Sequence, residues 1–475
     1  MCHDAATASN FAVKQTQAAN SVVLPRPPLH FVAAPISDRK ILQISNLITV
    51  LALIASPLWV TQLFFSSDHG ALTDFILVPV IVLVNLGMVL WVTSRDRALR
   101  QFMIMGLVLK IAAAGAFLWV VYGWYGGAAD VSYYYAHGVQ YAQMFREGSF
   151  TLPEGALGTT MTSVITALFM AVLGDSLAPS ALAFAMLAYW GQYLMYRSFC
   201  IAYPRSHRML AALLIFGLPS LQFWSASLGK DVLCLFFIAV TLYGLALVHH
   251  RLAPSAYILA GVGFVGVALI RPHVAALIAI SAVVPYVASR SRTGISGFAL
   301  RLASIPLVLA GTYYLYSATK NFVEMSDLSQ AEVVMERVGR SNEGQGSTFG
   351  SESSPLARMA TAPFLPFRPF PWEVHNLLSG AACAEGLALL IFCWRKRRTL
   401  YRRLREWRSD GFSGLLLIYV VAFSVVFSGA MTNFGLLARE RCMMLPAFLM
   451  LFLSHAPAFK RTDPRLRSLS FARMS

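Results

Sequence analysis

KNFVEMSDLSQAEVVMERVGRSNEGQGSTFGSESSPLARMATAPFLPFRPFPWEVH, from Lys320 to His375, is the one long stretch of this chain that cannot sit in a membrane. Nearly everything around it can. Ser329-Gln-Ala-Glu332 has the spacing of a capping box, and Ala331, Val334, Met335 and Val338 recur at helical intervals, which predicts a short amphipathic helix. Ser341 to Ser354 is rich in Gly, Ser and Glu, with too few apolar groups to offset its ordering entropy, so a mobile flap is expected there. Beyond Pro355 the prolines 363, 366, 369 and 371 forbid a long regular helix, while Phe364, Phe367, Phe370 and Trp372 supply rings beside Arg368 and Glu373.

The flanking sequence sets the fold class. Of 475 residues, 57% are hydrophobic and 13% charged, and the mean hydropathy is +0.61. These values exclude an ordinary soluble domain and predict an all-α polytopic transmembrane helix bundle, because backbone groups in lipid must pair within their own segment. A net charge of +16 suggests nucleic acid in a soluble protein. Here the Lys and Arg cluster beside apolar spans, where the positive-inside rule accounts for them, so no nucleic acid is expected. The six cysteines are scattered without metal-type spacing and read as packing residues.

Residues 1–40 read as a disordered cytoplasmic tail, and apolar runs follow at 41–65, 73–93 and 101–125. Further runs lie at 178–202, 209–228, 231–249, 253–270, 272–289, 297–317, 376–394, 412–430 and 440–456. About twelve spans with both termini cytoplasmic place every basic turn inside, provided that Thr159 to Gly174 is a re-entrant or interfacial segment rather than a crossing. The chain then divides into a transmembrane bundle over 41–317, an external loop over 318–375, C-terminal spans over 376–458 and a basic cytoplasmic tail over 459–475.

With that topology the unusual charges gather near the external ends of spans. Asp130, Lys230, Asp231, Arg271, His273, Arg368, Glu373, Arg439, Glu440 and Arg441 all fall there. Charges at membrane depth are costly and are usually paired or line a wet cavity. Asp130, amid Gly126-Gly-Ala-Ala-Asp-Val-Ser-Tyr-Tyr-Tyr135, could take a proton from a sugar hydroxyl or could serve as a helix cap. Lys230-Asp231 occupies a tight turn, where a cap plus a snorkelling lysine is the plainer reading. Arg271-Pro-His273 divides an apolar run where a structural turn more often uses Gly, Asn or Ser. Arg439 and Arg441 are two apart and cannot share a helical face; with Arg271 and Arg368 they suggest a diphosphate clamp, against the plainer alternative of snorkelling to headgroups. Lys110 reads as a snorkelling or paired residue.

Taken together, the early external Asp130, Pro219-Ser with Phe-Trp-Ser and Gly229-Lys-Asp231, Arg271-Pro272, Arg368-Pro-Phe-Pro-Trp-Glu373 and Asn433-Phe-Gly with Arg439-Glu-Arg441 resemble bacterial integral-membrane glycosyltransferases of the GT-C superfamily. More narrowly, they resemble the exopolysaccharide and O-antigen polymerases. The resemblance implies transfer of sugar or oligosaccharide units from a polyprenyl-phosphate or diphosphate carrier to a glycan acceptor at the external face of the inner membrane. Polysaccharide assembly and export proteins are its implied partners. It implies catalytic roles for Asp130 and Asp231, and substrate contacts for Lys230, Arg271, His273, Arg368, Trp372, Glu373, Asn433, Arg439 and Arg441. No cofactor is expected; a divalent metal is not supported, because Asp130 has no adjacent acid. The competing expectation is a transporter or flippase of lipid-linked sugars, which would place its charges near the midplane on broken helices.

Overall fold

The computed structural model describes residues 36–55, 71–151, 153, 156–251, 254–288 and 354–454. The tail before residue 36, the apolar run 297–317, the capping-box helix at Ser329, the expected flap up to residue 353 and the C-terminal tail lie outside the described residues. The described chain is helical, with no strand among the described residues. All packing considered below lies within residues 41–454.

Helix α1 spans Ile36–Ala55, so it begins inside the tail expected through residue 40, and α2 spans Ala71–Val92. Ser94-Arg-Asp96 turns the chain into α3, Arg97–Trp119, whose first turn is capped by the Asp96 carboxylate accepting from Leu99 N at 2.9 Å. A π turn over Val120–Trp124 and two glycines with positive φ, Gly126 and Gly127, then lead into α4, Asp130–Arg146. Next come α5, Thr159–Leu173, and α6, Leu177–Ala202, which meet at a 117° bend.

The run expected to cross at 209–228 is broken. It forms α7, Arg208–Gly217, then α8, Pro219–Phe223, and a non-helical turn. Pro219 is the cause, since it cannot donate to the turn before it. Helices α9, Lys230–Arg251, and α10, Pro254–Ile270, pack closely. A Cβ on Gly244 would lie 2.5 Å from Ala260 N, and one on Gly263 2.5 Å from Thr241 N, so glycine is what lets these backbones touch. Pro272 then opens α11, Pro272–Ala288.

After Ser354 come the short α12, Pro355–Met359, and 3-10 turns at Ala362–Phe367 and Pro371–Glu373. The long α13, Leu377–Glu406, and the returning α14, Gly411–Ala430, follow. The last expected span, 440–456, is divided as well. α15, Phe434–Glu440, passes through a 3-10 turn at Arg441–Met443 into α16, Leu445–Leu453.

Among the described residues, five helical stretches are long and apolar enough to cross a membrane: Asp74–Val92, Arg97–Trp124, Lys230–His249, Leu377–Glu406 and Gly411–Ala430. The bent α5–α6 pair would make a sixth. α7, α10 and α11 are apolar but fall short of 18 residues. Lipid-type surface is plain on α2, which exposes Phe75, Ile76, Leu83, Val84 and Trp91.

The helix ends sort into two groups. At one end, Tyr203 after α6 hydrogen-bonds Ser413 at 2.6 Å and lies under the Arg403 guanidinium, while His249 of α9 faces Phe412. That end carries the Arg395–Arg408 basic run. The other end gathers the starts of α4, α9, α11 and α15. Both ends of α5 belong there: Gly158 N donates to Leu269 O at 2.8 Å, and Ser176 just beyond α5 donates to Asp74 at the start of α2.

Candidate functional site: a buried ion network at one end of the bundle

Five charged groups drawn from four parts of the chain meet where these helices begin or end. Arg439, in the last turn of α15, reaches Asp130 Oδ2 with Nη2 at 2.8 Å and lies 2.5 Å from Asp231 Oδ2 through Nε. The second contact is a close ion pair. Asp231 in turn accepts from Arg271 Nη2 at 2.6 Å, and Arg271 Nη1 is joined to Glu440. The chain of contacts therefore runs Asp130, Arg439, Asp231, Arg271, Glu440.

Local structure explains why each group points there. Asp130 is the first residue of α4, with Ala129 at the cap position, so its carboxylate sits at the positive end of that helix. Asp231 stands in the first turn of α9 for the same reason. Arg271 is the single residue between α10 and α11, fixed by Pro272. Asn433 caps α15, its Oδ1 accepting from Gly435 N at 2.8 Å and Leu436 N at 3.2 Å, which aims Arg439 and Glu440 back at α4 and α9.

Burial is graded across the network. Side-chain exposure is 4% for Glu440, 8% for Arg271 and 7% for Asp231, then 23% for Arg439 and 56% for Asp130. Of the two carboxylates expected to be catalytic, only Asp130 is open; Asp231 is occupied by two arginines. Burial opposes charge on Arg439, but Asp231, Glu440 and Asp130 outweigh it and hold its pKa above the ordinary value. Tyr134, one turn into α4, has its phenol pushed up by burial and then by Asp130 and Asp231, and stays a neutral donor. Lys230 and His273 border the network; the His273 ring lies 6.1 Å from that of Phe427.

Arg441 goes elsewhere. Because α15 ends at Glu440, it turns away from Arg439, is fully buried, and donates to Arg368 O at 2.6 Å, Pro366 O at 3.3 Å and Glu385 Oε1 at 2.9 Å. Arg368 pairs with Glu373 at 3.0 Å and lies over the Phe434 ring, and Glu373 also accepts from Phe370 N. Trp372 stacks on Phe370 and is 77% exposed. The four arginines expected as one clamp thus form two groups: Arg271 with Arg439, and Arg368 with Arg441.

Two further residues hold α8, and one of them, Glu385, joins it to Arg441. Glu385, inside the apolar part of α13, accepts from Ser220 N at 2.7 Å and from the Ser220 hydroxyl at the start of α8. Lys110, inside α3 and fully buried, donates to Leu221 O at 2.9 Å, Gln222 O at 3.1 Å and Ser225 Oγ at 2.8 Å at its far end. A carboxylate at the amino end and an ammonium at the carboxyl end is the pairing that α8's exposed peptide groups favour. Glu385 escaped the sequence reading, although an acid alone in an apolar run is itself a signal.

No family model, curated protein or solved structure matches this chain.

Proposed function

We propose that the chain is a multi-pass membrane glycosyltransferase of polysaccharide synthesis, transferring sugar or oligosaccharide units from a polyprenyl-phosphate or diphosphate carrier to a glycan acceptor at the external face of a bacterial inner membrane. The observation that carries this reading is an exposed carboxylate, Asp130, joined through Arg439 to a buried network of fixed arginines. Acid–base chemistry needs the first, and a departing phosphate needs the second.

The charges balance at rest. Lys230, Arg271 and Arg439 face Asp130, Asp231 and Glu440, so an incoming phosphate must displace a carboxylate, and Asp130 is the exposed one. As phosphate oxygens take Arg439, Asp130 is released to the acceptor hydroxyl. It accepts the hydroxyl proton while that oxygen bonds to the anomeric carbon, and the carrier phosphate leaves with the electron pair of the broken bond. Arg271 and Lys230 keep the developing charge neutralised in a poorly hydrated site, where fixed donors act more strongly than in water. Arg441, fully buried, positions the Arg368–Glu373 turn and does not reach the substrate in this scheme.

The topology belongs to the same proposal: about twelve spans, cytoplasmic termini and an external loop over 318–375. It is supported by the two groups of helix ends, with the basic run on one and the ion network on the other. Both ends of α5 on the network side favour an interfacial or re-entrant α5. The broken helix α7–α8 is what the transporter reading would use.

The deciding experiment is polymer formation by cells that depend on this chain, scored beside its abundance in the membrane. Asp130→Asn keeps the side chain's size and loses the base, so polymer should disappear at normal abundance. Normal polymer from Asp130→Asn would overturn the enzyme and leave the transporter.

A further inference from the structure

Along α4 the residues Asp130, Tyr133, His137 and Tyr141 recur at helical spacing, one step round from the buried stripe Val131, Tyr134, Gly138, Ala142 and Phe145. The Tyr133 and His137 rings are 4.1 Å apart, and those of His137 and Tyr141 6.4 Å. The stripe starts at the exposed carboxylate. α4 is held firmly behind it, since a Cβ on Gly138 would lie 2.7 Å from Thr166 Cγ2 of α5.

A ribbon of rings near a membrane could be a headgroup belt, but the composition of this helix is against it. Tyr133, 49% exposed, is the one large apolar side chain that α4 exposes. His137 and Tyr141 are half-buried, and the other exposed positions of α4 are Asp130, Ala136, Gln140, Gln143 and Arg146, with no aliphatic anchor of the kind α2 shows. This face fits water and a polar ligand with apolar faces of its own. A pyranose is such a ligand: its C–H face lies on rings, while its hydroxyl rim meets phenols and imidazole. Asp130 to Tyr141 spans about 16 Å of helix, room for a short oligosaccharide.

We infer that the Tyr133–His137–Tyr141 stripe is the track on which the acceptor glycan lies, with its reacting hydroxyl delivered to Asp130. This rests on the glycosyltransferase reading and names which substrate the stripe holds.

The test uses the full chain in membranes, with native lipid-linked donor and, as acceptor, fragments released by mild acid from the cells' own polysaccharide. Tyr133→Leu removes the ring and keeps an apolar side chain; Tyr133→Phe keeps the ring. The leucine variant should need about tenfold more acceptor for half-maximal rate, a loss in the range of one ring contact, with its donor dependence unchanged. The phenylalanine variant should stay within about twofold of the parent. Unchanged acceptor dependence in Tyr133→Leu, with Asp130→Asn inactive, overturns the track and leaves the enzyme standing. Loss of membrane abundance in Tyr133→Leu with unchanged acceptor dependence makes the ring a headgroup anchor and also overturns it. Full activity in Asp130→Asn removes both the enzyme and the track.

Discussion

Arg439 and Asp130, 309 residues apart in the chain, meet at 2.8 Å between Nη2 and Oδ2 at the edge of an otherwise buried ion network. The pair is exposed on the Asp130 side, and exposed ion pairs contribute about 0–1 kcal/mol. Asp130→Asn should therefore barely change the melting temperature in detergent, while turnover falls by about 10²-fold or more, as loss of a positioned base does. A large stability loss with proportionate activity would make Asp130 structural.

Arg271 is a different case, because one guanidinium serves Asp231 and Glu440 and all three are nearly sealed from solvent. Removing it strands the buried Glu440 carboxylate and leaves Asp231 with Arg439 alone. Arg271→Met should cost about 3–5 kcal/mol, seen as sharply reduced folded protein by fluorescence-detected size exclusion. Arg271→Lys should recover only part, since an ammonium lacks the planar fork that spans two partners. Equal yields from the methionine variant and the parent would show that the network does not hold α9, α11 and α15 together.

The class of fold and the positions of most charges in this network were legible from the sequence. Apolar runs and basic turns do not depend on partners, and the two-residue spacing of Arg439 and Arg441 already required that they diverge. Pairings across hundreds of residues were not. Arg441 looks like a free arginine until Glu385 and the Pro366 and Arg368 carbonyls surround it. Hydropathy also overstated the regularity of the spans, since it does not register that Pro219 splits 209–228 or that 440–456 opens with a 3-10 turn.

Lys110 and Glu385 hold the two ends of α8, and α8 leads through the turn at 224–229 to Lys230 and Asp231. Lys110→Met would leave the buried Gln222 carbonyl without this donor, at about 1–3 kcal/mol for an unsatisfied group, while Leu221 O keeps Gln192 and Ser225. Hydrogen exchange over residues 219–231 should rise in Lys110→Met and in Glu385→Gln, while exchange in α13 near Leu390 stays slow. Unchanged exchange in both variants would mean that packing alone fixes the broken helix.

The last expectation concerns which face of the membrane the network occupies. α13 has 30 residues and so spans about 45 Å, more than the roughly 30 Å of hydrocarbon, with the Arg368–Glu373 turn before its start and the basic run at its end. Positive residues are retained on the cytoplasmic side, so the network is expected outside. Ser149 follows α4 and Ser409 follows α13; both are exposed in the structure. A cysteine at position 149 should react with a membrane-impermeant maleimide in cells whose inner membrane is intact, and one at 409 only after that membrane is opened, each measured against the parent protein. The same comparison tests α5, because a crossing there would put Ser149 and Tyr203 on the same side, whereas Tyr203 packs against the basic end through Arg403. Labelling in the reverse order would turn the bundle over, and a periplasmic site at Asp130 could not be kept.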